Sequence, residues 1–380
     1  MAMNTGGAEF VDSVTGQPLD GNLVRAARKE ELEYFASKNV WRKVPRAEAL
    51  QKQGKPPISV KWVDVNKGDD ETPNYRSRLV AREIRRPWED SIFSPTPPLE
   101  AIRSVLSRAA SDIEGHAKHV RDPRSEERTQ VSVIDISRAY FNARVSEDNP
   151  VYVELPAEDP GRDRGMCGKV LVHMYGTRPA AKGWHTEFSE FLMFDLGFER
   201  GNASQCVFVH KERDITTAVY GDDFTSTGRK SQLDWFRTEM EAKYELKELA
   251  RMGPGPNDDK EAKILNRVIK WTDAGLEYEA DPRQLEKLLR DLGLDDGVKA
   301  VSAPGVKMSA ADVAEDKPLS PDKHTAFRAV AARCNYLAAD RPDCQYAAKE
   351  ICRWMSSPTE GSMAALKRLG RYLVKANLLS

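Results

Sequence analysis

The sequence predicts an α+β fold. Strand-like and helix-like segments are interspersed without a strict strand–helix–strand alternation. Several strand-like runs fall in neighbouring pairs joined by polar turns. Apolar residues at 40% and charged residues at 31% give the composition of a folded chain rather than a disordered one.

The elements follow in order. Residues 1–20 are polar and Gly-rich and are expected to be a flexible leader, followed by a helix over 23–37 with Leu23, Ala27, Leu32 and Phe35 on one side. A Pro- and Gly-bearing loop leads to a half-buried strand over 58–66, and the turn formers of 67–74 join it to a second strand over 75–83 as a β-hairpin. Residues 99–110 carry Ile102, Val105, Leu106 and Ala109 on one helical face. The charged stretch 111–129 is expected to be an exposed loop. Apolar runs at 131–135, 151–155 and 169–174 are expected strands, and a helix over 179–196 opens near Pro179. Residues 205–210 and 215–220 form a further strand pair, followed by a helix over 231–244. After a Gly-Pro break at 251–259, a hairpin over 264–271 and 276–280 precedes helices at 283–294, 326–339, 344–355 and 361–374.

Length and charge bound the function. A chain of 380 residues suggests two or three domain-sized units. With 58 Lys and Arg against 59 Asp and Glu, the net charge of −1 excludes a uniformly basic binder. A nucleic-acid enzyme stays open, because charge can be segregated between faces. The cysteines (Cys167, Cys206, Cys334, Cys344 and Cys352) are odd in number and contain no C-x-x-C pair, so neither a disulfide framework nor a zinc module is expected. No run approaches the ~18 apolar residues of a membrane span, and the N-terminus lacks a secretory core. An intracellular, cytoplasmic protein with no membrane partner is expected, with a nuclear location as the alternative.

The most informative stretch is Tyr220-Gly221-Asp222-Asp223, preceded by an apolar strand. Gly and Asp in tandem favour a tight turn, so both carboxylates would project from a hairpin tip. Adjacent carboxylates repel one another unless a cation resides between them, and hard ions such as Mg²⁺ take such oxygen ligands. The competing reading is a solvated turn, and Lys67-Gly68-Asp69-Asp70 offers the same triplet in what reads as an ordinary turn. Asp135, ending the apolar run from Val131, is a third carboxylate in a matching setting; alone it would also suit a helix N-cap. If the two segments are neighbours, Asp135 and Asp222 would bridge two metal ions about 3.5–4 Å apart, a geometry suited to in-line phosphoryl transfer.

A strand ending in Asp, an aromatic five residues on, and an aromatic-x-Asp-Asp hairpin resemble the palm signature of reverse transcriptases. From about Trp41 to about Leu373 the chain resembles the copia-type retrotransposon polymerases. Arg76-Ser77-Arg78-Leu79-Val80-Ala81-Arg82 is similar to that family's basic strand, and Val151-Tyr152-Val153, Tyr175-Gly176, Trp184, Arg341-Pro342-Asp343 and Arg371-Tyr372-Leu373 follow in the family's order.

The resemblance implies a right-hand polymerase: leader and helix over 1–39, fingers over 40–130, palm over 131–250, and a thumb or connection over 251–380. It also implies a fragment of an element polyprotein without the RNase H domain. The implied activity is RNA-directed DNA synthesis on an RNA or DNA template with primer, using dNTPs and two Mg²⁺ ions, with Mn²⁺ as a substitute. Asp135, Asp222 and Asp223 would be the catalytic, metal-binding carboxylates. Tyr140 falls where the family places the aromatic that excludes a ribose 2′-hydroxyl; its other reading is a core aromatic. Arg76 and Arg78 would grip the dNTP, Arg78 foremost, against the alternative of a solvated edge strand. Tyr220, Gly221, Arg267 and Lys270 would contact primer or template. Lys247 would be the general acid, or a plain surface lysine.

Two positions depart from the family. Its Gln after Tyr-Gly-Leu-Lys is Pro179 here, which offers neither a polar side chain nor a backbone N–H. Gly221 stands where the commoner residue is Val. A catalytically decayed, nucleic-acid-binding relic is therefore the rival reading. An unrelated two-metal hydrolase finds no support, since nothing in the spacing of His173 and His210 suggests ligation. The oligomeric state is unassigned.

Overall fold

A computed structural model describes residues 10–69, 71–84, 92–111, 127–294, 298–307, 309 and 314–375. Two compact units divide the chain: residues 1–102, 134–226 and 232–247 in the first, and 103–133, 227–231 and 248–380 in the second. Helices and strands are mixed as the α+β expectation requires.

The first unit opens with α1 (Gly21–Ser37), whose N-cap Asp20 accepts from the backbone N–H groups of Asn22 and Leu23. It buries Val24, Ala27 and Phe35, but Leu23 is exposed. The described part of the expected flexible leader is tied down instead. Asp12 is buried and accepts from the N–H groups of Val14, Thr15 and Asn66, while Ser13 N–H donates to the Asp64 carbonyl. That Asx-type turn docks the leader against a strand.

Strand β1 (Trp41–Pro45) was not expected from the sequence, nor was α2 (Arg46–Gln53), which ends at Gly54 with φ +66°. Pro45 and the charged side chains mask β1; its partner across the sheet reveals it. The hairpin β2 (Val60–Asn66) and β3 (Tyr75–Ala81) forms as expected, with Val65 opposite Arg76 and Val63 opposite Arg78. Helix α3 (Leu99–Ala110) buries the anticipated Ile102, Val105, Leu106 and Ala109. Most of the expected loop at 111–129 lies outside the described residues.

Next come β4 (Thr129–Ile136), β5 (Val151–Val153) and β6 (Met166–Val170). Strand β6 begins and ends earlier than expected because its register pairs Val170 with Trp41 and Met166 with Pro45; Gly168 lets the Trp41 ring lie close against the strand. Helix α4 (Ala180–Glu190) has Pro179 at its N-cap and runs on into a π-helical turn, Phe191–Asp195. Strands β7 (Glu199–Arg200), β8 (Val207–His210), β9 (Ile215–Tyr220) and β10 (Asp223–Arg229), helix α5 (Lys230–Lys243) and β11 (Leu246–Met252) follow. One sheet runs in the order β11-β4-β10-β9-β8-β7. A core of Ile134, Ile136, Trp184, Phe188, Phe208, Phe224 and Phe236 packs helices α4 and α5 with these strands. A second core joins Phe35, Val40, Leu79, Phe141, Val170 and Met174.

In the second unit β12 (Glu261–Ile264), β13 (Arg267–Thr272) and β14 (Gly275–Glu279) form a three-stranded sheet. The single strand expected over 264–271 is broken by Leu265 and Asn266, both at positive φ, which turn β12 into β13. Helices α6 (Pro282–Asp291), α7 (Pro321–Ala338), α8 (Gln345–Cys352) and α9 (Glu360–Lys375) enclose a core around Leu288, Phe327, Cys334, Ile351 and Leu366. All five cysteines are free. No helix among the described residues is long and apolar enough to cross a membrane.

Candidate functional site

The first unit brings together two segments that are far apart in sequence. Asp135 lies in β4, and Asp222 and Asp223 lie where β9 turns into β10. Adjacent strands β4 and β10 explain the meeting, and the Ile136 N–H donates to the Asp222 carbonyl at 3.0 Å. Gly221, at φ +67°, takes the left-handed conformation the turn requires. The Trp184 indole N–H donates to the Gly221 carbonyl at 2.8 Å, so a core side chain of α4 holds the turn.

One carboxylate oxygen from each of Asp135, Asp222 and Asp223 lies within 4.8 Å of the others. All three residues are half-buried, and among the described residues none of the three carboxylates has a hydrogen-bond or ion-pair partner. Burial, then the charges of Asp222 and Asp135, pushes the Asp223 carboxyl up to about 6. Asp135 is also raised, by burial and by Asp222, against the opposing charges of Arg76, Arg78 and Lys67. Three clustered oxygen donors that lack protein partners and repel one another suit a hard divalent cation. The Asp135 N-cap alternative is not realised: the cap of the short 3₁₀ helix Ala139–Asn142 is Arg138.

The hairpin β2–β3 supplies the opposite charge. Arg76 and Arg78 are half-buried on one face of β3, whose other face buries Ser77, Leu79 and Ala81. Arg82 falls beyond the strand and is exposed. Lys67 is the residue that sequence reasoning missed, having been assigned to an ordinary turn. Its charge acts on Asp135, and its own ammonium is held below the usual lysine range by burial and by Arg76 and Arg78. A period of two would have found it, since Lys67 continues the parity of Val63 and Val65, the register partners of Arg78 and Arg76.

Tyr140 sits half-buried on the 3₁₀ helix, packed against Tyr175 with ring centroids 4.9 Å apart. The Arg78 guanidinium lies 4.6 Å from the centre of the Tyr175 ring. Behind them Arg138, at φ +47°, donates to buried Glu31 at 3.0 Å and lies 3.8 Å from the Tyr34 ring centre. The Tyr34 hydroxyl donates to Glu245, and with burial this lifts its pKa to about 12.

The remaining expected residues are placed as follows. Tyr220 is exposed at the end of β9 and Gly221 is exposed in the turn. Pro179 caps α4 through its carbonyl, which accepts from the Gly183 N–H at 2.8 Å. Lys247 is exposed on β11. Arg267 is buried, with its guanidinium donating to Asp340 and to the Leu265 carbonyl, so it is engaged within the second unit. Lys270 lies between Glu261 and Glu279 at 4.0 and 3.8 Å.

An acid triad shared between a strand and a hairpin turn, faced by cations and aromatics of neighbouring elements, has the makings of a nucleotidyl-transfer site. Residues 39–254 match the family described as "Reverse transcriptase (RNA-dependent DNA polymerase)", and the chain belongs to that family, with its mixed α/β polymerase fold. It is similar to the retrovirus-related Pol polyprotein from transposon TNT 1-94 of Nicotiana tabacum, at 23% identity over 96% of this chain and 26% of that one. It is similar also to the corresponding polyproteins of transposons RE1 and RE2 of Arabidopsis thaliana, each at 26% identity, over 83% and 94% of this chain. The chain thus spans 20–26% of the length of these relatives. Among solved structures, a foamy viral protease-reverse transcriptase in complex with dsDNA aligns at 11% identity and a TM-score of 0.47, covering 97% of this chain and 63% of that one.

Proposed function

We propose that this chain is an RNA-directed DNA polymerase that adds dNTPs to a primer 3′-hydroxyl on an RNA or DNA template. The observation that carries this is the cluster of Asp135, Asp222 and Asp223 within 4.8 Å, without protein partners and opposed by Lys67, Arg76 and Arg78.

The three carboxylates would hold two divalent cations, Mg²⁺ or Mn²⁺. Bound there, the ions would lower the pKa of the primer hydroxyl and steady the leaving pyrophosphate. Arg76, Arg78 and Lys67 bind the triphosphate, with the guanidinium forks matched to phosphate oxygens. Tyr140 lies beneath the sugar, where a bulky ring leaves no room for a 2′-hydroxyl. Tyr220 and Gly221 border the primer end. Strand β1 and the β2–β3 hairpin belong to fingers over 40–130, the acid triad to a palm over 131–250, and residues 251–380 to a thumb or connection.

The test is dTTP incorporation on poly(rA)/oligo(dT) with Mg²⁺. Wild type is expected to incorporate, and Asp222→Asn to fall to background. The second reading, a nucleic-acid-binding relic, draws on Pro179, which has no donor to offer a nucleotide. Primer–template binding without incorporation by either protein would establish the relic and overturn the polymerase.

A further inference from the structure

We propose that Tyr175 is a positioning residue that couples triphosphate binding to sugar selection. It resides outside the acid triad, yet its ring touches both groups assigned to the nucleotide. One contact is the Arg78 guanidinium, 4.6 Å from the ring centre. The other is the Tyr140 ring, with centroids 4.9 Å apart and planes inclined at 59°. The ring also meets Phe141, the residue after Tyr140, at 6.0 Å edge-on.

The backbone of Tyr175 is anchored to the strand that carries Arg78. Its carbonyl accepts from the Ala81 N–H at 2.8 Å, and the next carbonyl, Gly176, accepts from the Glu83 N–H at 3.3 Å. Movement of β3 therefore moves Tyr175, and Tyr175 bears on Tyr140. The Tyr175 hydroxyl and the Arg78 Nε are both buried without a hydrogen-bond partner. An orphaned guanidinium N–H of this kind is costly, and a phosphate oxygen on Arg78 would satisfy it.

An aromatic ring is suited to this role. It attracts a guanidinium through its face and resists compression, so it transmits the position of Arg78 to Tyr140 as a rigid spacer. When Arg78 engages a phosphate, Tyr175 holds Tyr140 against the sugar. Discrimination between deoxyribose and ribose then depends on a residue that touches neither sugar nor phosphate.

This role rests on the assignment of Tyr140 and Arg78 to the nucleotide, so the experiment separates the two. Equilibrium dissociation constants for dTTP and for UTP are measured on the protein bound to poly(rA) with a dideoxy-terminated oligo(dT) primer, in Ca²⁺. Tyr140→Val is expected to collapse the UTP:dTTP ratio. Tyr175→Leu is expected to lower that ratio about tenfold and Tyr175→Phe to leave it within about twofold, because the ring does the coupling. Arg78→Gln, a substitution on a half-exposed strand face, is expected to weaken dTTP binding and also to lower the ratio. A Tyr175 that only filled space would leave the ratio unmoved in Arg78→Gln, which keeps the proposal open to refutation should Tyr175→Leu fail to fold. An unchanged ratio in Tyr175→Leu or Arg78→Gln, with a collapsed ratio in Tyr140→Val, overturns the coupling alone. No effect of Tyr140→Val, or no sugar preference in wild type, overturns the nucleotide assignment and the coupling with it.

Discussion

At the scale of single residues, Asp223 shows what the acid cluster costs the metal-free protein. Its carboxyl is raised from about 3.8 in an unfolded chain to about 6 in the fold. The folded state therefore holds the proton more tightly, and the stability linked to it is fully present below about 3.8 and lost as pH rises through about 6. In EDTA the melting temperature of wild type is expected to fall across that window more steeply than that of Asp223→Asn, which should be the more stable protein at about pH 7.5. Mg²⁺ should raise the wild-type melting temperature by mass action and leave Asp222→Asn nearly unmoved. Parallel pH curves for wild type and Asp223→Asn would sink this account of the cluster. The carboxylates were legible in the sequence because their setting, an apolar strand ending in acid and a Gly-Asp-Asp turn, is local. Lys67 was not, since its function depends on which face of a hairpin it continues.

At the scale of elements, the hairpin β2–β3 has to be held beside the acids for its cations to act. The join is narrow. Gly176 sits at φ +81°, and a Cβ there would fall 2.0 Å from the Ala81 carbonyl oxygen. Gly176→Ala is thus expected to push β3 outward and cost about 1–3 kcal/mol in stability, as overpacking against backbone does. Nucleotide binding should weaken at least about tenfold. The Mg²⁺-dependent rise in melting temperature, which belongs to the triad, should persist. Equal loss of both would mean that the hairpin and the triad are not separable in this way. By contrast Gly221 has open space around its missing Cβ, so Gly221→Ala meets only the backbone penalty of a left-handed residue, about 1–2 kcal/mol. Most helices and the β2–β3 hairpin could be read from periodicity. Strand β1, helix α2 and the start of β6 could not, because Pro, Gly and charged residues there hide a pattern that only strand pairing completes.

At the scale of the whole molecule, the two units are organised around different kinds of core. The first packs aromatics behind the sheet that carries the acid triad. The second has, beside its aliphatic helical core, a polar hub: the fully buried carboxylate of Asp340 accepts from Arg267, Arg103 and the Tyr278 hydroxyl. One acid thereby ties α3, β13 and β14 to the end of α7. Removing one partner of a buried ionic network leaves uncompensated charge, so Asp340→Asn is expected to cost about 3–5 kcal/mol, read by urea denaturation. A loss under about 1 kcal/mol would show the hub to be dispensable. Arg267, expected from the sequence to meet nucleic acid, is committed to this hub.

The sequence by itself determined the mixture of helices and strands, the identity of the three acids and the membership of a polymerase family. These rest on local patterns: apolar periodicity, turn-forming residues, and carboxylates at the edge of apolar runs. Tertiary structure decided which charges meet. Only strand pairing places Asp135 beside Asp222 and Asp223, turns Lys67 toward them, sets Tyr175 between Arg78 and Tyr140, and draws Arg267 onto Asp340. Electrostatic and aromatic contacts act over a few ångströms in space, and their partners here are separated by tens of residues along the chain.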